Sequence, residues 1–283
     1  MLSAQEKQQL LDELEVSRAE FKKYDAQANS NKTALNGSFG KFGNPWSTLY
    51  SPELLIQTTV TGQLALLMLI EMLEQHSGIQ VVSANTDGIV IKCRRESAHH
   101  LELTVKDWEQ RTGFETEETR YKALYSRDVN SYIALKEGGG VKLKGAYAEP
   151  EPVASSWPSP HMQICVTAVC ECLEHGVPLD MTVRLCDDIK QFIEVRNVTG
   201  GGQWRGQYLG RAVRWYYSTD GDPITKVKAN KTGNHDKVAG TDGCRPLMFM
   251  DGSMPADLDY ARYVADAEQI LRDIGFPLVA TRV

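Results

Sequence analysis

Apolar residues recur at three- and four-residue steps in the first part of the chain and predict helix over residues 3–38. A break near Val16–Ser17 could divide this segment into two helices. Three glycines, Gly37, Gly40 and Gly43, are expected to end the helical pattern, because glycine is a poor residue for a helix interior.

A further helix is predicted from Ser51 to about Gln75. Ser51 is a typical N-cap residue, and Pro52 and Glu53 suit the first turn that follows it. The helix is apolar on nearly every side, which predicts a position inside a hydrophobic core. Its longest apolar stretch, residues 64–72, is too short to span a bilayer, so no membrane segment is expected.

Short runs of β-branched residues predict strands in the middle of the chain. Gln80–Ala84 and Ile89–Cys93 flank the turn Asn85-Thr86-Asp87-Gly88 and predict a β-hairpin. A helix over Ser97–Thr112 and a second strand pair, Asn130–Leu135 and Val141–Tyr147, are predicted to follow. This order predicts an α+β fold with helices packed on one face of an antiparallel sheet.

Prolines between residues 150 and 160 predict a linker between domains. Three further helices are predicted at His161–His175, Asp180–Val195 and Asp259–Ile274. Thr199-Gly200-Gly201-Gly202 is expected to form a flexible loop, and residues 219–246 are rich in turn-forming residues.

The amino-acid composition adds little information about function. The net charge of −6 argues mildly against nucleic-acid binding, yet residues 184–237 contain ten basic and six acidic residues. The six cysteines have no C-x-x-C spacing, which favours reduced thiols over a zinc site or a disulfide framework.

The hairpin turn has two interpretations when it is taken alone. Asp87-Gly88 between apolar strands is typical of an ordinary turn, in which aspartate bonds its own backbone and glycine accepts a positive φ. An aspartate at a rigid hairpin tip also presents a carboxylate to a hard cation such as Mg²⁺.

The residues before the hairpin favour the second interpretation, a carboxylate that binds a metal ion. Lys32-Thr33-Ala34-Leu35-Asn36-Gly37-Ser38-Phe39-Gly40 resembles the fingers-to-palm motif of B-family DNA polymerases, in which asparagine and then tyrosine-glycine follow a lysine at fixed spacing. Asn85–Gly88 resembles the Asp-Thr-Asp-Ser hairpin of that family. Ser131-Tyr132 with Val141–Gly145 is similar to the strand pair that holds the primer strand. Residues 165–218 look like the thumb of tailed-phage polymerases.

The resemblance implies a partial polymerase palm within an α+β fold. Truncated fingers helices would occupy residues 1–38, the palm with its catalytic hairpin residues 39–149, and a mainly helical thumb with the carboxyl-terminal region residues 150–283. The implied activity is that of a DNA-directed DNA polymerase, which adds deoxynucleotides to a primer 3′ end by phosphoryl transfer with two Mg²⁺ ions.

The motif in residues 32–40 implies the nucleotide-binding residues. Lys32 would place its charge beside the incoming triphosphate and assist catalysis, although a solvated helix lysine would look the same. Asn36 and Phe39 share a helical face with Lys32 and would line the nascent base pair. Gly40 would allow close backbone approach, or it simply terminates the helix.

The hairpin implies the metal site, with Asp87 as the catalytic metal ligand and Thr86 beside it. The residues implied to touch DNA are Tyr132, Lys142, Lys144, Arg205, Arg211 and Arg214. For the lysines the alternative is an edge strand protected from aggregation. For the arginines the alternative is an ordinary solvated surface.

The chain departs from the family pattern at several positions. Asn85 and Gly88 replace the first aspartate and the serine of the hairpin, Gly37 replaces a serine, and Phe39 replaces tyrosine. The missing tyrosine hydroxyl predicts looser base-pair discrimination. The strand motif Asp-x-x-Ser-Leu-Tyr-Pro, which supplies the family's other essential aspartate, has no counterpart before residue 32.

One carboxylate cannot fix two Mg²⁺ ions, so the isolated chain is expected to be inactive. The expected partners are primer-template DNA, deoxynucleotides and a separate amino-terminal polymerase fragment, without a membrane. The expected location is the cytoplasm, that of the host if a phage encodes the chain. A non-catalytic DNA-binding or assembly fragment is the main alternative, and an RNA-guided or reverse-transcribing polymerase is a second.

Overall fold

The computed structural model describes residues 4–148, 162–230 and 233–277. They form two compact units, Met1–Thr116 and Glu117–Val283. Helices and antiparallel sheets occur in both units, which confirms the α+β fold class. The predicted linker around residues 150–160 lies outside the described residues. The predicted division into segments 1–38, 39–149 and 150–283 stays a prediction.

The first unit begins with one uninterrupted helix, α1, Ala4–Phe42. The break predicted near Val16–Ser17 is absent from this described helix, and the prediction that Gly37 and Gly40 end it is wrong. A glycine costs an exposed helix only about 1 kcal/mol, which does not stop it. Pro45 disfavours helical geometry at the residue before it, and the chain leaves α1 two residues earlier.

Helix α2, Pro52–Glu74, begins as predicted, with the Ser51 hydroxyl accepting a bond from the Leu54 amide at 3.4 Å. The prediction that it is buried on all sides is wrong, because in α2 only Leu69 and Leu73 are buried. Several large apolar side chains of α2 are exposed: Leu54, Ile56, Val60, Leu64 and Leu67. By length and composition alone α2 is the single helix in the described residues that could cross a membrane.

The remainder of the first unit packs on the carboxyl-terminal half of α2. Strands β1, Ile79–Asn85, and β2, Gly88–Cys93, form the predicted hairpin. After a 3₁₀ turn comes helix α3, Ala98–Thr112. Its Trp108 is buried with Leu69, Leu73 and Ile79, and the indole Nε1 donates to the Ala65 carbonyl at 2.7 Å. This bond anchors α3 on α2.

The second unit begins with an antiparallel sheet of three strands: β3, Tyr121–Asp128, β4, Ser131–Lys136, and β5, Val141–Lys144. The sequence predicted β4 and β5 but not β3. A 3₁₀ turn replaces the predicted strand end at Gly145–Tyr147. Ile133 and Tyr147 from this region enter the main core of the unit.

A larger antiparallel sheet follows, with strand order β10-β7-β6-β8-β9. Its strands are β6, Glu194–Trp204, β7, Gln207–Tyr217, β8, Thr225–Ala229, β9, His235–Lys237, and β10, Cys244–Pro246. The expected loop at residues 199–202 is therefore wrong, because these residues lie inside β6. The expected single sheet is wrong as well, since the described residues form three.

Three helices complete the second unit: α4, Gln163–His175, α5, Leu179–Leu185, and α6, Tyr260–Asp273. The predicted helix over Asp180–Val195 is wrong beyond Leu185, where a 3₁₀ turn and β6 follow. The last helix was predicted correctly, including its end before Gly275, and in the structure the Asp259 side chain caps its start. With five strands beside these helices, the described part beyond residue 162 is not mainly helical.

Candidate functional site

The candidate catalytic aspartate lies at the tip of the β1–β2 hairpin. Asn85 pairs with Gly88, which leaves Thr86 and Asp87 as a two-residue turn. The inner face of the hairpin, including Val81 and Ile89, packs in the core with α2 and α3. Asp87 itself is exposed, and within the described part of the chain no hydrogen bond or ion pair engages its carboxylate. The hairpin is therefore held in place by its packed inner face, and the Asp87 carboxylate at its tip is exposed.

The turn contains a backbone conformation that the sequence did not signal. Thr86 has a φ of 45°, although a β-branched residue rarely adopts positive φ. Its hydroxyl donates to Asn85 Oδ1 at 2.9 Å, a bond within the turn itself. Strained residues of this kind persist where the surrounding structure fixes them, and they are common at functional sites. The positive φ of Thr86 belongs to the two-residue turn that places Asp87 at the hairpin tip.

The candidate nucleotide-binding residues lie together on the last turns of α1. Lys32, Asn36 and Phe39 are exposed at four- and three-residue steps on one continuous helix, with Gly40 in the next position. The Phe39 ring contacts Phe42 edge-on, with centroids 6.3 Å apart. The predicted common helical face of these residues is therefore present.

Helix α2 lies between this face and the hairpin along the chain. Where α1 ends, the Ser51 amide donates to the Phe42 carbonyl at 3.0 Å, which ties α1 to the start of α2. Within the described residues no hydrogen bond, ion pair or ring contact joins Lys32, Asn36 or Phe39 to β1 or β2. A shared cleft between Lys32 and Asp87 stays a prediction.

A site for two Mg²⁺ ions needs several oxygen ligands in strict geometry. No group of three or more Asp, Glu, His or Cys residues able to hold a metal occurs among the described residues. Asp87 stands alone, and the Thr86 hydroxyl is turned toward Asn85. The described residues of this chain therefore do not form a two-metal centre by themselves.

A second group of candidate residues meets on the three-stranded sheet. Tyr132 pairs directly with Lys144, and the next paired position on the same face joins Ala134 to Lys142. The opposite face contributes Ile133 and other apolar residues to the core. Tyr132, Lys142 and Lys144 are thus neighbours on the outer face of the sheet, as the resemblance implied.

Two residues of this outer face were missed by sequence reasoning. Lys136 pairs with Tyr121, and a bulge after Tyr121 places both on the outer face. Lys142 Nζ lies 6.0 Å from the Tyr121 ring centroid. A hydrogen bond with the Tyr121 side chain raises the pKa of Lys142 despite its partial burial. The only available signal was the aromatic-rich stretch before Asp128, which was not recognised as a strand.

The three candidate arginines have different surroundings. Arg205, in the turn between β6 and β7, bonds Asp222 at 2.5 Å and Asp220 at 3.3 Å, and these bonds raise its pKa. Arg214 is half-buried and donates to the Met248 carbonyl at 3.4 Å. Arg211 is exposed on β7, with no ion pair among the described residues. Arg211 therefore has the most available charge.

Comparison with known proteins finds structural similarity but no sequence similarity. No protein-family model matches the chain, and no curated protein sequence does. The chain is similar to the family B DNA polymerase from the hyperthermophilic archaeon Pyrobaculum calidifontis, with 17% sequence identity and a TM-score of 0.49. The match covers 98% of this chain and 38% of that polymerase. At this identity and TM-score the similarity establishes neither a family nor an activity.

Proposed function

We propose that this chain is the carboxyl-terminal portion of a template-directed DNA polymerase of the B family, of the tailed-phage type. The observation on which the proposal rests is Asp87, exposed at the tip of a hairpin that is packed on α2 and α3. The sequence motif of Lys32, Asn36 and Phe39 on the preceding helix gives the second support. Nucleotide addition to a primer 3′ end is the reaction that uses both features.

The proposed enzyme requires a second polypeptide segment. Two Mg²⁺ ions would supply charge neutralisation during phosphoryl transfer, and Asp87 is the carboxylate that this chain offers them. A segment with the family's Asp-x-x-Ser-Leu-Tyr-Pro-like motif must supply the other. Lys32 would position the triphosphate, and the outer face of the three-stranded sheet would bind the primer duplex in the cytoplasm.

Primer extension by a reconstituted complex tests the proposal. The chain is combined with a polypeptide that carries the missing motif, and extension of a labelled primer on a DNA template is measured. Asp87→Asn is expected to lower the extension rate by several orders of magnitude, because a metal ligand is lost. Asn85→Asp, two residues away at the same hairpin tip, is the matched control and should retain extension. A full rate of primer extension by the Asp87→Asn variant would overturn the proposal.

A non-catalytic DNA-binding fragment is the second candidate. The observation that favours it is the basic and aromatic outer face of Tyr121, Tyr132, Lys136, Lys142 and Lys144, which needs no metal. In this case the chain would bind duplex DNA with unchanged affinity after Asp87→Asn, and the reconstituted complex would show no primer extension.

A further inference from the structure

The turn that joins β4 to β5 contains three consecutive glycines, Gly138, Gly139 and Gly140. Gly139 and Gly140 have φ of 88° and 84°, and a Cβ added at either would meet no atom within 4 Å. Glycine is therefore required at these two positions by backbone conformation and not by lack of space. A run of glycines has large backbone freedom, so the folded turn depends on the bonds that hold it.

Bonds inside the turn and one bond to a helix hold these glycines. The Lys136 amide donates to the Gly140 carbonyl at 3.0 Å, and the Gly139 amide donates to the Lys136 carbonyl at 3.1 Å. The Gly140 amide donates out of the turn, to Glu174 Oε1 at 2.9 Å. Glu174 belongs to α4, whose Ala168 and Val169 are fully buried in the main core. The bond therefore connects a glycine turn to a firmly packed helix.

Glu174 is disfavoured by its own helix. It occupies the last turn of α4, where the negative end of the helix dipole destabilises a carboxylate. Its side chain is only 25% exposed, so water solvates the charge incompletely. Oε2 lies 3.8 Å from His175 Nε2, whereas Oε1 accepts the Gly140 amide. A residue that opposes the preference of its own element and bonds a distant turn indicates a role outside that element.

We propose that Glu174 is a positioning residue for DNA binding, because its carboxylate fixes the β4–β5 turn to α4. The inference rests on the proposed function, in which the outer face of the three-stranded sheet binds the primer duplex. Lys136 is the last residue before the turn, and Lys142 is the second residue after it. A fixed turn holds both lysines in place, and lysines that are already in place lose less conformational entropy when they bind phosphate. Glu174 acts through the turn and makes no contact with phosphate.

Hydrogen exchange of the Gly140 amide, followed by NMR without DNA, measures the connection itself. Glu174→Ala removes the acceptor and is expected to speed this exchange about fivefold or more. Glu174→Gln keeps a side-chain oxygen at the same reach and should retain most of the protection. Glu171→Ala is the matched control, since Glu171 lies on the same helix and its side chain makes no hydrogen bond among the described residues. Unchanged exchange at Val169 confirms that each variant keeps its core.

Binding of a labelled primer-template duplex measures the consequence. Glu174→Ala is expected to weaken binding about two- to tenfold, because binding must then order the turn. The slope of log K against log salt should not change, since no lysine is lost. Glu174→Gln and Glu171→Ala also remove one negative charge, so both should bind at least as tightly as the unaltered chain. Rescue by glutamine therefore separates the hydrogen bond from the charge.

Two results would overturn the inference about Glu174. One is an unchanged rate of Gly140 exchange in Glu174→Ala, and the other is equal duplex affinity for the alanine and glutamine variants. Lys136→Gln and Lys142→Gln test the outer face separately. If neither lysine variant weakens duplex binding, the proposed role of the outer face itself is wrong, so the two failures are distinguishable.

Discussion

Lys142 illustrates how one contact defines the properties of a candidate DNA-binding residue. The bond to Tyr121 raises the pKa of Lys142 and holds the ammonium beside the aromatic ring at 6.0 Å. The contact with Tyr121 therefore favours the charged form of Lys142 and restricts its position on the sheet. Tyr121 is, on this view, a positioning residue for the phosphate contact that we propose for Lys142.

Binding of a labelled primer-template duplex separates the two roles. Lys142→Gln is expected to weaken binding and to reduce the slope of log K against log salt by about 0.9, one phosphate contact. Tyr121→Phe should weaken binding while leaving that slope unchanged, because the lysine charge remains. Tyr125→Phe is the control, since Tyr125 packs against Phe276 on the inner side. Equal slopes for Lys142→Gln and the unaltered chain would contradict the phosphate contact.

Asp257 is the residue with the clearest link between ionisation and stability. Burial raises the pKa of its carboxyl, but bonds from Ser218, Arg245 and Tyr216, at 2.6, 2.6 and 2.9 Å, outweigh burial and lower the pKa to about 2. A depressed folded-state pKa stabilises the fold above the unfolded value of roughly 4. This contribution is lost as pH falls from about 4 to 2.

Urea unfolding at several pH values measures this effect. The unaltered chain should lose about 2 kcal/mol of unfolding free energy between pH 5 and pH 2 through Asp257. Asp257→Asn should be less stable at pH 7 and should lack that part of the pH dependence. Asp251→Asn is a suitable comparison, because Asp251 bonds only Ser253 in its own exposed loop among the described residues. A parallel pH profile for Asp257→Asn would refute the assignment.

At the scale of elements, strand β6 shows why the glycines at residues 200–202 were wrongly predicted to form a flexible loop. Gly200 and Gly201 have φ of 85° and 93°, and the register with β7 shifts there. A Cβ on Gly202 would lie 2.8 Å from Val213 and 3.2 Å from Ile224, two fully buried residues. Glycine is needed because a neighbouring strand and its core side chains approach closely, and a local pattern cannot show that approach.

A double-mutant cycle tests this explanation. Gly202→Ala is expected to destabilise the chain by about 1–3 kcal/mol through overpacking. Val213→Ala leaves a cavity and is destabilising by itself. The double variant should lose less unfolding free energy than the sum of the two single losses, because the smaller alanine side chain at position 213 leaves space for the added Cβ at position 202. Gly138→Ala, in open space, should be near neutral. Strict additivity would mean that Gly202 and Val213 do not compete for space.

At the scale of the whole molecule, the two units have cores of very different size. Among the described residues, the first unit buries four apolar side chains, Leu69, Leu73, Ile79 and Trp108, whereas the core of the second joins residues from its sheets and helices. The first unit also exposes much of α2. We infer that the first unit opens at lower denaturant concentration, because less apolar surface is removed from water there.

Hydrogen exchange resolved by segment measures the two stabilities. Leu73→Ala should lower protection of α2, β1 and α3 by about 2–5 kcal/mol, the usual cost of such a truncation in a core. Val169→Ala in α4 should lower protection in the second unit only. Simultaneous loss of protection in both units with either variant would show that the chain unfolds as one cooperative block.

The sequence by itself determined the features that depend on neighbours along the chain. The hairpin around Asp87, the capped start of α2 and the common face of Lys32, Asn36 and Phe39 follow from turn chemistry, capping and helical spacing. Only the tertiary structure decided features that depend on distant residues. These are the exposure of α2, the inclusion of residues 199–202 in β6, and the contact of Tyr121 with Lys142. Burial and strand pairing depend on contacts between residues that are distant in sequence, and the local pattern of apolar residues does not determine these contacts.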